Sequence, residues 1–256
     1  MTLVVGAFQN EAGGFTLDNI RALFQSQYLG AYRTSIELSA LTAVLGGLLG
    51  GLLAYAALTG GTPRWIRPLV STFSGVAANF AGVPLAFAFV ATLGTTGIIT
   101  QFLNSAVGLD LYGSGFSLFS FFGLVIIYLY FQIPLMILVI APAIDGLRNE
   151  WREAANNLGA SPGQYWRYVG LPILAPSILG AMVLLFANAF AAYATPYALT
   201  SGQVSLVPVL IGQVFQGDVL SNPNQGYALA LGMIIVIGAS TLVYTLLQRR
   251  TAKWTR

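Results

Sequence analysis

The chain has 256 residues, 56% of them hydrophobic and only 7% charged, with a net charge of +3 and a mean hydropathy of +0.76. A soluble domain carries charge on about a quarter of its residues, so a chain this poor in charge lacks a solvated surface and has lipid as its main solvent. The absence of Cys excludes disulfides, thiol catalysis and thiolate metal sites, and the absence of His removes the commonest general base and the commonest metal ligand.

In chain order, residues 1–33 form an extracytoplasmic N-terminal segment. Residues 1–8 are apolar but carry neither a basic stretch nor a cleavage site, so they do not read as a signal peptide. Over 15–28, Leu17, Ile20, Leu23, Phe24 and Tyr28 fall on one helical face, which predicts an interfacial helix with Thr16 as its N-cap. A transmembrane domain follows over 34–247. Crossing a bilayer takes about 20 apolar residues, and five stretches qualify: 34–58, 66–93, 118–141, 173–195 and 227–247. The first contains Gly46, Gly47, Gly50 and Gly51; the Gly47–Gly51 spacing fits G-x-x-x-G and reads as general close packing. Residues 98–107 are apolar but too short to span, which predicts a re-entrant or surface helix. Residues 201–226, with Pro208, Pro223 and several Gly and Asn, read as a turn-rich loop. Residues 248–256 are a basic tail.

Orientation follows from the basic residues. Arg64 and Arg67 flank the first connection, Arg148, Arg152 and Arg167 lie between the third and fourth spans, and Arg249, Arg250, Lys253 and Arg256 follow the fifth. These nine of the eleven basic residues fall on one side if the spans alternate, and the positive-inside rule makes that side cytoplasmic. The N-terminus then faces out and the C-terminus in.

Several chemistries are missing. Glu37, near the outer end of its span, is the one charge placed within a span and reads as an interfacial carboxylate. A proton relay is therefore poorly supported. Neutral polar residues Asn79, Gln132, Asn188, Tyr193 and Thr195 are candidates for a translocation pathway, although such groups more often bond between helices. The single lysine, Lys253, cannot belong to a phosphate-cradling G-x-x-x-x-G-K-[ST] loop, so any nucleotide energy comes from another chain. Leu199-Thr200-Ser201-Gly202-Gln203 resembles a nucleotide-contacting signature, but lies on the predicted outer face and reads as chance. No nucleophile–base pair or metal constellation supports a membrane enzyme.

Residues 145–172, DGLRNEWREAANNLGASPGQYWRYVGLP, are a polar island between two spans, with three of the eight acidic and three of the eleven basic residues. The spacing predicts a first helix over 145–158 with Leu147, Trp151, Ala154 and Leu158 on one apolar face. Gly159 is placed as a left-handed helix stop. Ser161-Pro162 supplies the cap and first position of a second short helix. Pattern alone leaves two readings level: a docking elbow for a partner, or an amphipathic helix lying on the inner membrane surface.

The residues add more. Glu153-Ala154-Ala155, Gly159 four positions after Ala155, then Val169, Leu171 and Pro172 resemble the EAA loop of type I ABC importer permeases, with Val169 in place of the usual Ile. The resemblance runs from FTLDN at 15–19 to the last span, and Thr96-Gly97-Ile98-Ile99 to Gly108 resembles the outer helix-loop of such permeases. It implies an all-α membrane protein of five transmembrane helices with a cytoplasmic EAA coupling elbow. The family core is usually preceded by one more span, of which residues 1–8 resemble the end. It also implies a bacterial inner-membrane location and a second permease subunit, identical or sister. The further partners it implies are cytoplasmic ABC ATPases holding ATP and Mg, and an extracytoplasmic solute-binding protein. This chain itself would carry no cofactor, and its surroundings are lipid; no nucleic-acid partner is expected. Glu153, Ala154, Ala155 and Gly159 inherit the coupling role, with Trp151 and Leu158 of the apolar face beside them.

Within that family, FAAYATPYAL at 190–199, LVPV at 206–209 and NPNQGYALA at 222–230 most resemble the spermidine/putrescine-type permeases. Iron(III), thiamine, phosphonate and sulfate permeases overlap with them. On the outer side Glu11, Asp18, Glu37, Asp110 and Asp218 outnumber Arg21 and Arg33, and an acidic vestibule attracts cations. The competing reading from another class is an ATP-independent channel or scaffold.

Overall fold

A computed structural model describes residues 2–10, 13–59, 63, 65–113, 115–216 and 223–251, with side chains from 247 onward left out. Among them the chain is helical without strands; one isolated bridge joins Gln9 and Phe15. The helices are α1 (Thr2–Ala7), α2 (Asp18–Ala22), α3 (Ser26–Leu58), α4 (Ile66–Asn79), α5 (Val83–Leu93), α6 (Ile98–Phe102), α7 (Phe121–Asp145), α8 (Asn149–Asn157), α9 (Pro162–Tyr165), α10 (Leu171–Ala191), α11 (Ala194–Thr200), α12 (Val207–Gln216) and α13 (Pro223–Thr251). π-helical turns extend α6 over Leu103–Val107 and join α9 to α10 over Trp166–Gly170. By length and composition five segments can cross a membrane: Ser26–Leu58, Val83–Val107, Phe121–Asp145, Pro162–Ala191 and Pro223–Leu246.

The second span differs from the expected 66–93. The helix breaks at Gly82, whose φ of +77° ends regular structure, and Pro84 sits near the start of the next helix, where its missing N–H costs nothing. α5 alone measures about 16 Å at 1.5 Å per residue, half of a bilayer core of about 30 Å. The apolar length from 83 to 107 therefore includes the second piece, 98–107, which is helical as expected, after an interruption at Gly94–Gly97. α4 stays outside the five. It buries the small Ser74 and Ala77 and exposes Leu69, Phe73 and Val76, the arrangement of a helix turning large apolar groups to lipid.

Other bounds move as well. The helix expected over 15–28 stops after Ala22, and a new one begins at Ser26, so the first long helix starts eight residues before 34. Leu17 stands at the N-cap position of α2, yet Thr16 Oγ1 accepts the Asp18 N–H at 3.1 Å, which is capping from one residue further back. Phe24, assigned to the apolar face, is exposed, whereas Tyr28 is buried. The fourth span ends at Ala191, which leaves Tyr193 and Thr195 outside it, at the start of α11. The loop expected over 201–226 contains helix α12, because Pro208 occupies its second position, where proline is compatible with a helix start. Arg64, Glu11, Asp218, Lys253 and Arg256 lie outside the described residues.

The chain forms two units. One comprises Met1–Leu41, Phe80–Tyr128 and Ala187–Ser240, with a core of Tyr28, Ala31, Val207 and Leu229. Polar side chains tie its helices where lipid offers no competing water. The Tyr32 hydroxyl donates to the Leu229 carbonyl at 2.6 Å, Ser35 Oγ accepts the Val207 N–H at 2.9 Å, and Gln225 donates to the Tyr28 oxygen at 2.6 Å. The other unit comprises Thr42–Asn79, Leu129–Phe186 and Thr241–Arg256, and its core includes Ala54, Met136, Ile140, Ile144, Leu174 and Leu185. Gly46 and Gly50, one turn apart, let α3 meet α7. A Cβ on Gly50 would sit 2.7 Å from the Ile133 carbonyl oxygen, and one on Gly46 would sit 2.8 Å from Gln132 Cβ. Gly47 is closely packed as well, against Met182 of α10, in keeping with general close packing of this glycine-rich stretch.

Candidate functional site

The elbow begins where α7 ends. Asp145 at that C-terminus pairs with Arg67 at the start of α4, a cation offsetting both the carboxylate and the negative helix end. Residues 146–148 turn the chain, and α8 runs from Asn149, not from 145. Arg148 lies over the Trp151 ring at 5.9 Å. Gly159 has φ +74° and stops α8 in the left-handed conformation that its position predicts. Its amide donates to Asn156 and that of Ala160 to Ala155, which satisfies two carbonyls of the last turn.

Ser161 then caps the next helix. Its Oγ accepts the Gln164 N–H at 3.3 Å, the Gln164 side chain accepts the Ser161 N–H at 2.7 Å, and Pro162 takes the first position. The second arm is not a short helix, as expected, but the head of a continuous helical segment from Pro162 to Ala191. A π-turn and Pro172, near the start of α10, do not interrupt it. The second arm of the elbow is thereby the head of a long helix.

No residue of α8 is buried. Glu153 and Ala154 are exposed, Trp151 and Ala155 are half-buried, and Leu158 is 88% exposed. Among the described residues Glu153 has no hydrogen bond or ion pair. Of the apolar face that the spacing predicts, Leu147 lies before α8 and packs against the core, Trp151 is half-buried, and Ala154 and Leu158 are exposed.

This geometry belongs to a known class. Residues 46–256 match the family model of the binding-protein-dependent transport system inner membrane component. The chain belongs to that family. It is 28% identical over 242 residues to an inner membrane ABC transporter permease protein of Escherichia coli (89% of this chain, 71% of the relative). It is 26% identical over 221 residues to a molybdenum transport system permease protein of Mycobacterium tuberculosis (82% and 79%). A spermidine/putrescine transport system permease protein of Haemophilus influenzae is 25% identical over 232 residues (90% and 78%). In fold it resembles a bacterial ABC transporter involved in import of the acidic polysaccharide alginate, with a TM-score of 0.73, 20% identity and coverage of 96% and 87%. As a member of this family the chain is a multi-pass inner-membrane permease subunit of an ABC importer, a transporter component and not an enzyme.

Among the described residues no group of three or more His, Cys, Asp or Glu could hold a metal ion. The five candidate pathway residues are not gathered at one place. Asn79 is exposed and bonds to Gly75 of its own helix, and Asn188 is exposed. Gln132 is fully buried; its amide donates to the Leu185 carbonyl at 2.9 Å, while its oxygen has no partner. Thr195 is buried and serves the α5 break: its Oγ1 accepts the Gly82 N–H at 2.8 Å and donates to the Gly82 carbonyl at 3.3 Å. Tyr193 stacks on Tyr197 with centroids 5.3 Å apart and accepts from Gln216 at 2.6 Å. Of the acidic residues expected on the outer side, Asp18 pairs with Arg21, Glu37 pairs with Arg33, and Asp110 accepts from two amides of its own turn. The stretch 199–203 is a helix stop, with Ser201 at φ +48° and Gly202 at φ +85°.

Proposed function

We propose that the elbow is the handle by which a separate cytoplasmic ATPase, holding ATP and Mg, drives this permease. In this reading an extracytoplasmic binding protein delivers solute to a pair of permease subunits, identical or sister, and the elbow and C-terminus face the cytoplasm. The observation that carries it is the α8 surface: the exposed Ala154 and Leu158, the small half-buried Ala155, and an unpaired Glu153. Small residues let a partner close over the helix, and a free carboxylate offers a charge to a basic group. Glu153→Lys or Gly159→Asp is expected to abolish ATP-driven uptake while membrane insertion persists, and the native chain is expected to co-purify with an ATPase. Unchanged uptake in both variants overturns the coupling role. Solute flux through this chain alone in liposomes favours the ATP-independent channel instead.

The cargo in this reading is a polyamine. Its support is the resemblance at 190–199, 206–209 and 222–230 together with the Haemophilus relative. Relatives named for molybdenum, sulfate and trehalose transport are equally similar, at 24–26% identity. Binding by the partner binding protein, screened against spermidine, putrescine, molybdate, sulfate, trehalose, iron(III) and a phosphonate, decides among them; spermidine or putrescine as the tightest ligand is the expected result.

A further inference from the structure

Beside the elbow, α3, α7 and the α9–α10 segment enclose a groove of about 380 Å³. Its walls are apolar, with Leu52, Met136, Ile140 and Leu174 among them, and Gly47 and Gly51 give it depth by contributing no side chain. A second cavity of about 320 Å³ adjoins it and shares Tyr55, Ile144 and Trp166. This one is polar, and Arg148 at the N-cap of α8 and Arg152 within it line it with Asp145. Arg67 neutralises Asp145, so the Arg148 and Arg152 guanidiniums are its uncompensated charges among the described residues. Glu150 and Glu153 are also on α8 but do not line the cavity.

The border between the two spaces is aromatic. Tyr55 and Trp166 meet edge to face at 4.7 Å, Tyr165 stands 5.7 Å from Trp166, and the Trp166 ring is seated against Gly170. Trp and Tyr concentrate at the level where hydrocarbon gives way to headgroups. An apolar slot, an aromatic border and a doubly basic cup in sequence match an amphiphile with an anionic head. Basic cups beside transmembrane helices are the setting in which anionic headgroups bind.

We infer that the chain holds an anionic phospholipid here, one acyl chain in the groove and the phosphate on Arg148 and Arg152. The inference rests on the membrane placement of α3, α7 and α10 and is independent of cargo and ATPase. It makes the elbow sensitive to lipid charge, because the arginines that grip the headgroup stand at the N-cap and in the body of α8.

The test uses the full chain in vesicles, with Trp65, Trp151 and Trp254 replaced by Phe so that Trp166 is the one fluorophore. Phosphatidylglycerol brominated on its acyl chains should quench Trp166 at mole fractions roughly 25-fold lower than brominated phosphatidylcholine, the scale expected of two arginine–lipid attractions. Arg148→Gln with Arg152→Gln should bring the two lipids level while leaving the quenching by phosphatidylcholine in place. Gly51→Phe, whose Cβ meets only Met136 Cε at 3.6 Å, should fill the groove and reduce quenching by both lipids. If that variant fails to fold, the arginine pair carries the test. Equal potency in the native chain, or a preference surviving in the arginine variant, overturns the proposal. Displacement by soluble glycerol phosphate overturns it in favour of a free-phosphate site, and no quenching by either lipid overturns it in favour of a groove covered by protein.

Discussion

Ser161 and Gln164 bond reciprocally, each side chain satisfying the other's amide, at 3.3 and 2.7 Å. This capping box fixes where the long Pro162–Ala191 segment begins, and so fixes the angle of the elbow against it. Loss of such a cap costs about 1 kcal/mol. Ser161→Ala should speed hydrogen exchange at the amides of residues 163–165, and Ser161→Asp should restore protection; unchanged exchange in the alanine variant would show that the cap does not hold the start of the helix.

Gly159 has no atom within 4 Å of the place a Cβ would occupy, so the chain itself penalises a side chain there through the backbone alone. A left-handed residue other than glycine costs roughly 1–2 kcal/mol, least for Asn. Gly159→Val should lower the unfolding temperature, and Gly159→Asn should stay close to native. Reduced uptake by Gly159→Asn at native stability would then report contact with the ATPase and not damage to the elbow.

Gly50 and Gly51 are neighbours with opposite sensitivities. Alanine at 50 runs into the Ile133 carbonyl and Met136 Cβ, whereas alanine at 51 meets only Met136 Cε at 3.6 Å. Overpacking of this kind costs typically 1–3 kcal/mol. Thermal unfolding in detergent should show Gly50→Ala destabilised and Gly51→Ala unchanged or slightly stabilised.

Thr195 holds the open backbone of Gly82, so Thr195→Val removes the partner of a half-buried amide at a cost of about 1 kcal/mol. Thr195→Ser keeps the hydroxyl. If the valine variant loses stability and uptake together while serine keeps both, the residue holds the α5 break; loss of uptake in both variants at native stability assigns it to the pathway.

The elbow was largely legible in the sequence because its signals are local. Gly159, Ser161 and Pro162 each impose a backbone conformation on their own position, and the S-x-x-Q spacing to Gln164 was readable beside them. The break at Gly82 was missed although Gly82 and Pro84 announced it, because apolar residues continue on both sides and composition cannot see a helix end inside lipid. Tyr193 and Thr195 were assigned to a span for the same reason. Membership of the pathway was not legible at all, since a polar group that ties two helices and one that touches solute are the same residue types. The basic cup draws its lining from α3, α7, the start of α8 and the Tyr165–Trp166 turn, and no single stretch of sequence contains it.

The absence of cysteine provides a clean background for the decisive measurement. Ala154→Cys and Leu158→Cys, each expressed with the partner ATPase, are treated with a short thiol crosslinker in membranes. Crosslinks from both positions to the ATPase are expected, their yield changing with ATP, and none from Phe24→Cys. Free labelling of positions 154 and 158 by a soluble thiol reagent, with no crosslink in any nucleotide state, would contradict the coupling role.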